Sequence, residues 1–125
     1  MTTFKGKWKN QLGSILEITN IDAKEGLFSG TYITKVGDED ARKKPCDVTG
    51  YVKDKLIGFT VSYGDASCIC SWVGRLEPDG KIHTVWTFVS AEGFHKNDAN
   101  GQIEAGPAAL WEAFRVQTDI FEPVV

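Results

Sequence analysis

Short apolar runs broken by turn residues constrain this chain more than any other feature. GKWKNQ, SILEITNI, GLFSGTYITKV, CDVTGYVKD, KLIGFTVSY, SCICSWVGRL, KIHTVWTFVS and AFRVQTDIF follow one another along it. Each is rich in β-branched and aromatic residues, which suit a half-buried pleated surface. Between them lie LG, DAKEG, GDEDARKKP, KD, YGDAS, EPDG and a long polar-to-small stretch from Ala91 to Pro107. Eight short strands punctuated in this way predict an all-β barrel or sandwich. Short connections favour hairpins in an up-and-down order. Only GPAALWEAF, near residue 110, has helix-forming composition, enough for a turn or two. A length of 125 residues predicts one domain, spanning 1–125.

Side chains on a strand point to alternate sides, so a period of two assigns the faces. Trp8 and Asn10 share a face, as do Ser14, Leu16 and Ile18. The other sets are Phe28, Gly30, Tyr32, Thr34 and Val36; Phe59, Val61 and Tyr63; Cys68, Cys70 and Trp72; Ile82, Thr84, Trp86 and Phe88; and Gln117, Asp119 and Phe121. These faces hold most of the aromatic residues and a few short polar ones. A ligand-holding interior needs that mixture: apolar walls for area, fixed polar groups for orientation. The opposite faces carry Ile69, Val73, Val85, Val89, Val116 and Ile120. That is more apolar surface than a solvated exterior needs, and it predicts a subunit interface.

A net charge of -3 supplies no basic patch, which argues against a nucleic-acid partner. The apolar runs are far short of the roughly 20 residues that span a bilayer, so no membrane partner is expected. No cationic start followed by an apolar segment and a small-residue cleavage site is present. A cytoplasmic protein follows if Met1 is native; a signal already removed is the other reading. The three cysteines are an odd number, which fits reduced thiols better than a disulfide framework. Cys68 and Cys70 lack the paired spacing and companion ligands of a zinc site, and His83 falls on the outer face. On a flat strand, positions i and i+2 also point in parallel, so they make a poor disulfide. A Cys46–Cys68 bridge between neighbouring loops stays open, and His95 reads as a solvated loop residue. No nucleophile–base pair and no carboxylate pair points to an enzyme.

With the faces assigned, the chain resembles the avidin–streptavidin family of biotin-binding barrels. GKWKNQLGSILEIT, GLFSGTYITKVGD, GFTVSY, the spaced tryptophans and VQTDIF carry the likeness from about Gly6 to Phe121. The most specific combination is W-x-N-x-x-G-S with GTY-x-T and a terminal D-x-F. The resemblance implies an eight-stranded antiparallel up-and-down β-barrel with the ligand pocket at one end. It implies biotin as the ligand, without a cofactor, and biotin or biotinylated molecules as partners. Asn10, Ser14 and Tyr32 would donate to the ureido oxygen; Thr34 and Asp119 would accept from the two ureido N–H groups. Buried polar groups of a ligand need such partners. An ionised Asp119 would also strengthen the bonds at the oxygen by favouring charge separation in the ureido group. Trp72 and Trp86 would wall the pocket. Trp111 would reach over the ligand of a neighbouring subunit in a homotetramer.

Three positions depart from the family pattern. Tyr63 stands where many members have tryptophan, and Cys68 and Cys70 stand where they have Ser or Thr. The resemblance sets Cys70 near the biotin sulfur and Cys68 near the valeryl carboxylate. Thiols are weak donors, so the carboxylate end is expected to be held less well. Asp38 lies in the loop that closes over that end. Simpler readings stand beside these: Trp8 as core, and Asp119 as a turn cap or a partner of Arg115. Two other functions are weighed, a lipocalin-like carrier of an apolar ligand and a thiol-based redox or metal protein.

Overall fold

The computed structural model describes residues 4–35, 44–63, 67–96, 103–107 and 113–124, with 92–96 and 103–107 as backbone alone. Its strands are β1 (Gly6–Asn10), β2 (Ile15–Ile21), β3 (Leu27–Ile33), β4 (Cys46–Lys53), β5 (Leu56–Ser62), β6 (Cys68–Leu76), β7 (Ile82–Ser90), β8 (Glu92–Lys96), β9 (Ile103–Pro107) and β10 (Phe114–Pro123). Eight close into a barrel in the order β1-β10-β7-β6-β5-β4-β3-β2, every neighbour antiparallel. The up-and-down barrel expected of the chain is therefore present.

Turn chemistry sets several registers. Lys53 pairs with Leu56 across a two-residue turn, where Asp54 takes φ 54°. Aspartate tolerates that left-handed backbone better than most residues. A bulge shifts the β2–β3 register between Ile18 and Asn20. The barrel closes where β1 meets β10, along a short ladder from Trp8–Pro123 to Asn10–Phe121.

One expectation fails between β7 and β10. The stretch from Ala91 to Pro107, read as a loop, contains the β8–β9 hairpin, paired from Glu92–Pro107 to Lys96–Ile103. His95 accordingly belongs to a strand. Gly93, Ala105, Gly106 and Pro107 carry little strand propensity, and the pairing rests on backbone groups that composition does not report. Of the helix-like segment, Gly106 and Pro107 lie in β9 and Phe114 in β10, while 108–112 lie outside the described residues.

The two barrel ends differ. Trp8, Ile18, Phe28, Ile57, Phe59, Ile82 and Phe121 are buried and fill the interior toward one end. Phe59 is the hub: its ring stacks on Trp72 with centroids 4.9 Å apart and meets Phe28 and Phe121 edge-on. Trp8 is core, its indole donating to the Phe4 carbonyl at 2.7 Å. At the other end, the last residues of β1, β3, β5 and β7 meet the first of β2, β4, β6 and β10. That end holds a cavity of about 440 Å³.

Alternation placed the faces well. Ile69, Val73, Val85, Val89, Val116 and Ile120 all point outward and are exposed, Val73 at 67% and Val116 at 63%. They lie on the adjacent strands β6, β7 and β10, so they form one apolar face. Gln117 departs from the pattern, being exposed where Asp119 and Phe121 are buried.

Candidate functional site

The site begins in the turn between β1 and β2, Asn10-Gln11-Leu12-Gly13-Ser14. The Asn10 N–H donates to the Ser14 carbonyl at 3.0 Å, and the Gly13 N–H returns to the Asn10 carbonyl. Gly13 sits at φ +87°, a conformation that glycine adopts without strain. The Asn10 side-chain oxygen accepts the N–H groups of Leu12 at 3.0 Å and Ser14 at 2.9 Å. Its amide nitrogen is thereby turned to the interior. One of its protons points to Asp119 Oδ2 at 3.4 Å, and the amide also lies in reach of the Tyr32 hydroxyl. Ser14 is fully buried, and its hydroxyl accepts the Lys35 N–H at 2.9 Å.

Asp119 is buried on β10 and serves as the acceptor of this cluster. Trp72 Nε1 donates to Oδ2 at 3.0 Å, and Gln11 Nε2 donates to Oδ1 at 2.7 Å. A carboxylate offers about four acceptor directions. With Asn10 the described residues fill three, which leaves one direction for an N–H of a ligand. Thr84 fixes the backbone by donating its hydroxyl to the Asp119 carbonyl at 2.9 Å. Arg115, the partner considered from the sequence, is not among these groups.

Tyr32 and Thr34 complete the polar set, both buried. The Tyr32 hydroxyl lies in hydrogen-bonding reach of Ser14 and Asn10. Its ring packs on Trp72 at 5.0 Å and on Tyr63 at 6.4 Å. Tyr63 in turn meets Phe88, and with Trp86 these rings form the apolar wall. Trp72 does more than wall the pocket. It lies on the cavity floor, only 2% exposed, and holds the carboxylate. The buried Trp86 indole N–H meets no acceptor among the described residues.

The cavity thus unites Asn10, Ser14, Tyr32, Thr34, Tyr63, Cys68, Cys70, Trp72, Trp86 and Asp119 from the sequence-derived set. Asp38 and Trp111 lie outside the described residues. Leu12, Phe88 and Arg115 also line the cavity, and Gln11 supports it from behind. Phe88 and Arg115 were accessible to alternation, since Arg115 follows the period of Gln117 and Asp119. Gln11 sits in a turn, where no periodicity marks it.

All three cysteines are free thiols, which removes the Cys46–Cys68 bridge. Burial raises the pKa of Cys46 and Cys68 above the ordinary thiol value and pushes Cys70 up to about 12, aided by the Asp119 charge. Neutral thiols are poor nucleophiles and poor metal ligands. Among the described residues no group of three or more His, Cys, Asp or Glu side chains converges as a metal site.

Burial likewise raises Tyr32 to about 12, with Asp119 and Cys70 adding to the shift. Both groups are easier to ionise in the unfolded chain than in the barrel, so alkali favours unfolding. Their contribution is whole below the unfolded values, near pH 9 for the thiol and 10 for the phenol, and is lost as pH climbs toward about 12. Urea midpoints should hold level to about pH 9 and then decline steeply. Midpoints unchanged up to pH 12 would show that neither group is buried as described.

A closed antiparallel barrel whose end cavity sets convergent polar groups beneath aromatic walls defines a small-molecule-binding barrel protein. The comparisons narrow that class. The model for the Avidin family matches residues 1–124, and the chain belongs to that family. Avidin-related protein 3 of Gallus gallus is 33% identical over 89 residues, 65% of this chain and 59% of that protein. The chain therefore spans about three fifths of that relative's length. Avidin of Gallus gallus is 29% identical over 126 residues, covering 93% of this chain and 74% of avidin. The crystal structure of Xenavidin superposes with a TM-score of 0.70 at 28% identity, covering 96% of each chain. Members of the family are binding proteins rather than enzymes, and their ligand is biotin, with no cofactor.

Proposed function

We propose that this chain binds biotin in the barrel mouth, as a single avidin-like domain over residues 1–125. The observation that carries the reading is the convergence of Asn10, Ser14, Tyr32, Thr34 and Asp119 on one cavity whose remaining lining is largely apolar. Asn10, Ser14 and Tyr32 donate to the ureido oxygen, while Thr34 and Asp119 accept from the ureido nitrogens. Trp72, Trp86, Tyr63 and Phe88 enclose the bicycle. Cys70 faces the sulfur and Cys68 the valeryl tail, which Asp38 and its loop cover. Biotinylated molecules are partners through the same site. An apolar-ligand carrier has no use for five converging polar groups, which would cost free energy without partners.

The exposed face on β6, β7 and β10 supports assembly into a homotetramer, with Trp111 closing the site of a neighbouring copy. Calorimetry with biotin, with and without reductant, tests the binding. One biotin per chain under both conditions is the expected result. No heat and no thermal shift in either would sink the reading, and binding lost only on reduction would return the case to a disulfide. Sizing of the same sample should give four copies; a monomer would remove Trp111 from a shared site.

A further inference from the structure

Among the described residues that line the cavity, the charged groups are Asp119 at the floor and Arg115 on β10 at the rim. Arg115 pairs in register with Phe88, which pairs with Cys70, so the three lie across one row of the wall. The other described groups around it carry no compensating charge: Tyr63 and Phe88 are aromatic, and burial keeps the Cys68 and Cys70 thiols protonated. Ion pairs among the described residues join Arg75 with Glu77, Lys81 with Glu122 and His83 with Asp79, and none includes Arg115. Asp119 already accepts from Trp72, Gln11 and Asn10, and Arg115 is not among its partners. The cavity thus presents a guanidinium with five donors and no anion of its own among the described residues.

Four residues of strand separate Arg115 from Asp119, about 13 Å of rise. That span is comparable with a fused bicycle bearing an extended five-carbon acid. We propose that Arg115 is a specificity-determining residue, which makes the pocket prefer ligands whose distal end is a carboxylate over neutral analogues. The inference rests on the biotin reading above and goes beyond it. It assigns the anionic tail to a side chain on β10 and predicts discrimination between free biotin and its conjugates. A guanidinium pairs with a carboxylate through two parallel charge-assisted bonds, and a neutral amide cannot repeat that. Arg115 is exposed, so salt weakens the effect.

Competition binding of biotin and of its primary amide tests this, using the unaltered chain, Arg115→Gln and Arg115→Lys at low and high salt. The unaltered chain should prefer the acid by about tenfold, and salt should shrink the margin. Arg115→Gln should bring the ratio of the two affinities close to one. Arg115→Lys should keep part of the preference. Melting of each unliganded variant checks that the barrel is intact. Equal affinities for acid and amide in the unaltered chain, or a preference that survives Arg115→Gln, overturn the role of Arg115 and leave the biotin reading standing. Binding of neither compound overturns the biotin reading and this inference with it.

Discussion

Replacing Asp119 by alanine is expected to lower biotin affinity by roughly two to three orders of magnitude. A hydrogen bond to a charged group is worth about 1.5–3 kcal/mol, and each 1.4 kcal/mol is tenfold in affinity. The substitution also frees Trp72 Nε1, Gln11 and one Asn10 proton, all now anchored on the carboxylate. Asn10 then loses part of what orients it toward the ureido oxygen, so the loss should exceed that of one bond. Stability should change less than affinity does. Donors left unsatisfied cost about 1–3 kcal/mol each, but the buried carboxylate no longer has to be desolvated. Asp119→Asn keeps the size and one acceptor, and should fall between the two. Titration calorimetry with urea unfolding on both variants reads these numbers. Unchanged affinity in Asp119→Ala would take this residue out of the site.

Gly74→Ala should cost about 3 kcal/mol, lowering the melting temperature by roughly 10 °C. Gly74 on β6 pairs with Thr84 on β7. A Cβ at residue 74 would overlap the His83 carbonyl oxygen and come within 2.6 Å of Thr84 Cγ2 and 3.0 Å of Thr84 Cα. Backbone cannot swing aside as a long side chain does, so the two strands must part. Thr84 is also the group that holds the Asp119 carbonyl, so ligand affinity should fall together with stability. Gly58→Ala is the matched control. Its Cβ would meet the Trp72 carbonyl oxygen at 3.7 Å and Val73 Cγ2 at 4.0 Å, ordinary contacts, and it should change stability by under about 0.5 kcal/mol. Differential scanning calorimetry separates the pair. Equal melting points would mean that the β6–β7 spacing is looser than described.

These two sites show how far the sequence could be read. Alternation set Asp119 on the inner face, because the period of two is local, and the family resemblance supplied its role. The same period set the apolar residues of β6, β7 and β10 on the outside. What escaped depends on how strands are placed against one another. Trp72 reads as pocket wall, yet its indole is spent on a carboxylate 47 residues away on β10, with β7 between the two strands. No local pattern encodes that bond; the registers of two strand pairs do. Gln11 escaped because a turn has no period, although its amide both donates to Asp119 and accepts from the Ile120 N–H. The tight approach at Gly74 was invisible for a related reason: a glycine in a strand announces a bulge or a close contact without saying which. The β8–β9 hairpin shows the converse limit, since backbone pairing alone can organise residues whose side chains give no signal.

The place where the barrel closes has a further meaning. β1 is five residues long, and its ladder with β10 is short. Asn10 belongs to one lip of that join and Asp119 to the other, with Gln11 reaching across between them. A molecule gripped by both lips would be a rivet through the shortest ladder of the barrel. A guest bound there would cross-link β1 to β10, so the seam should be harder to part when the site is filled.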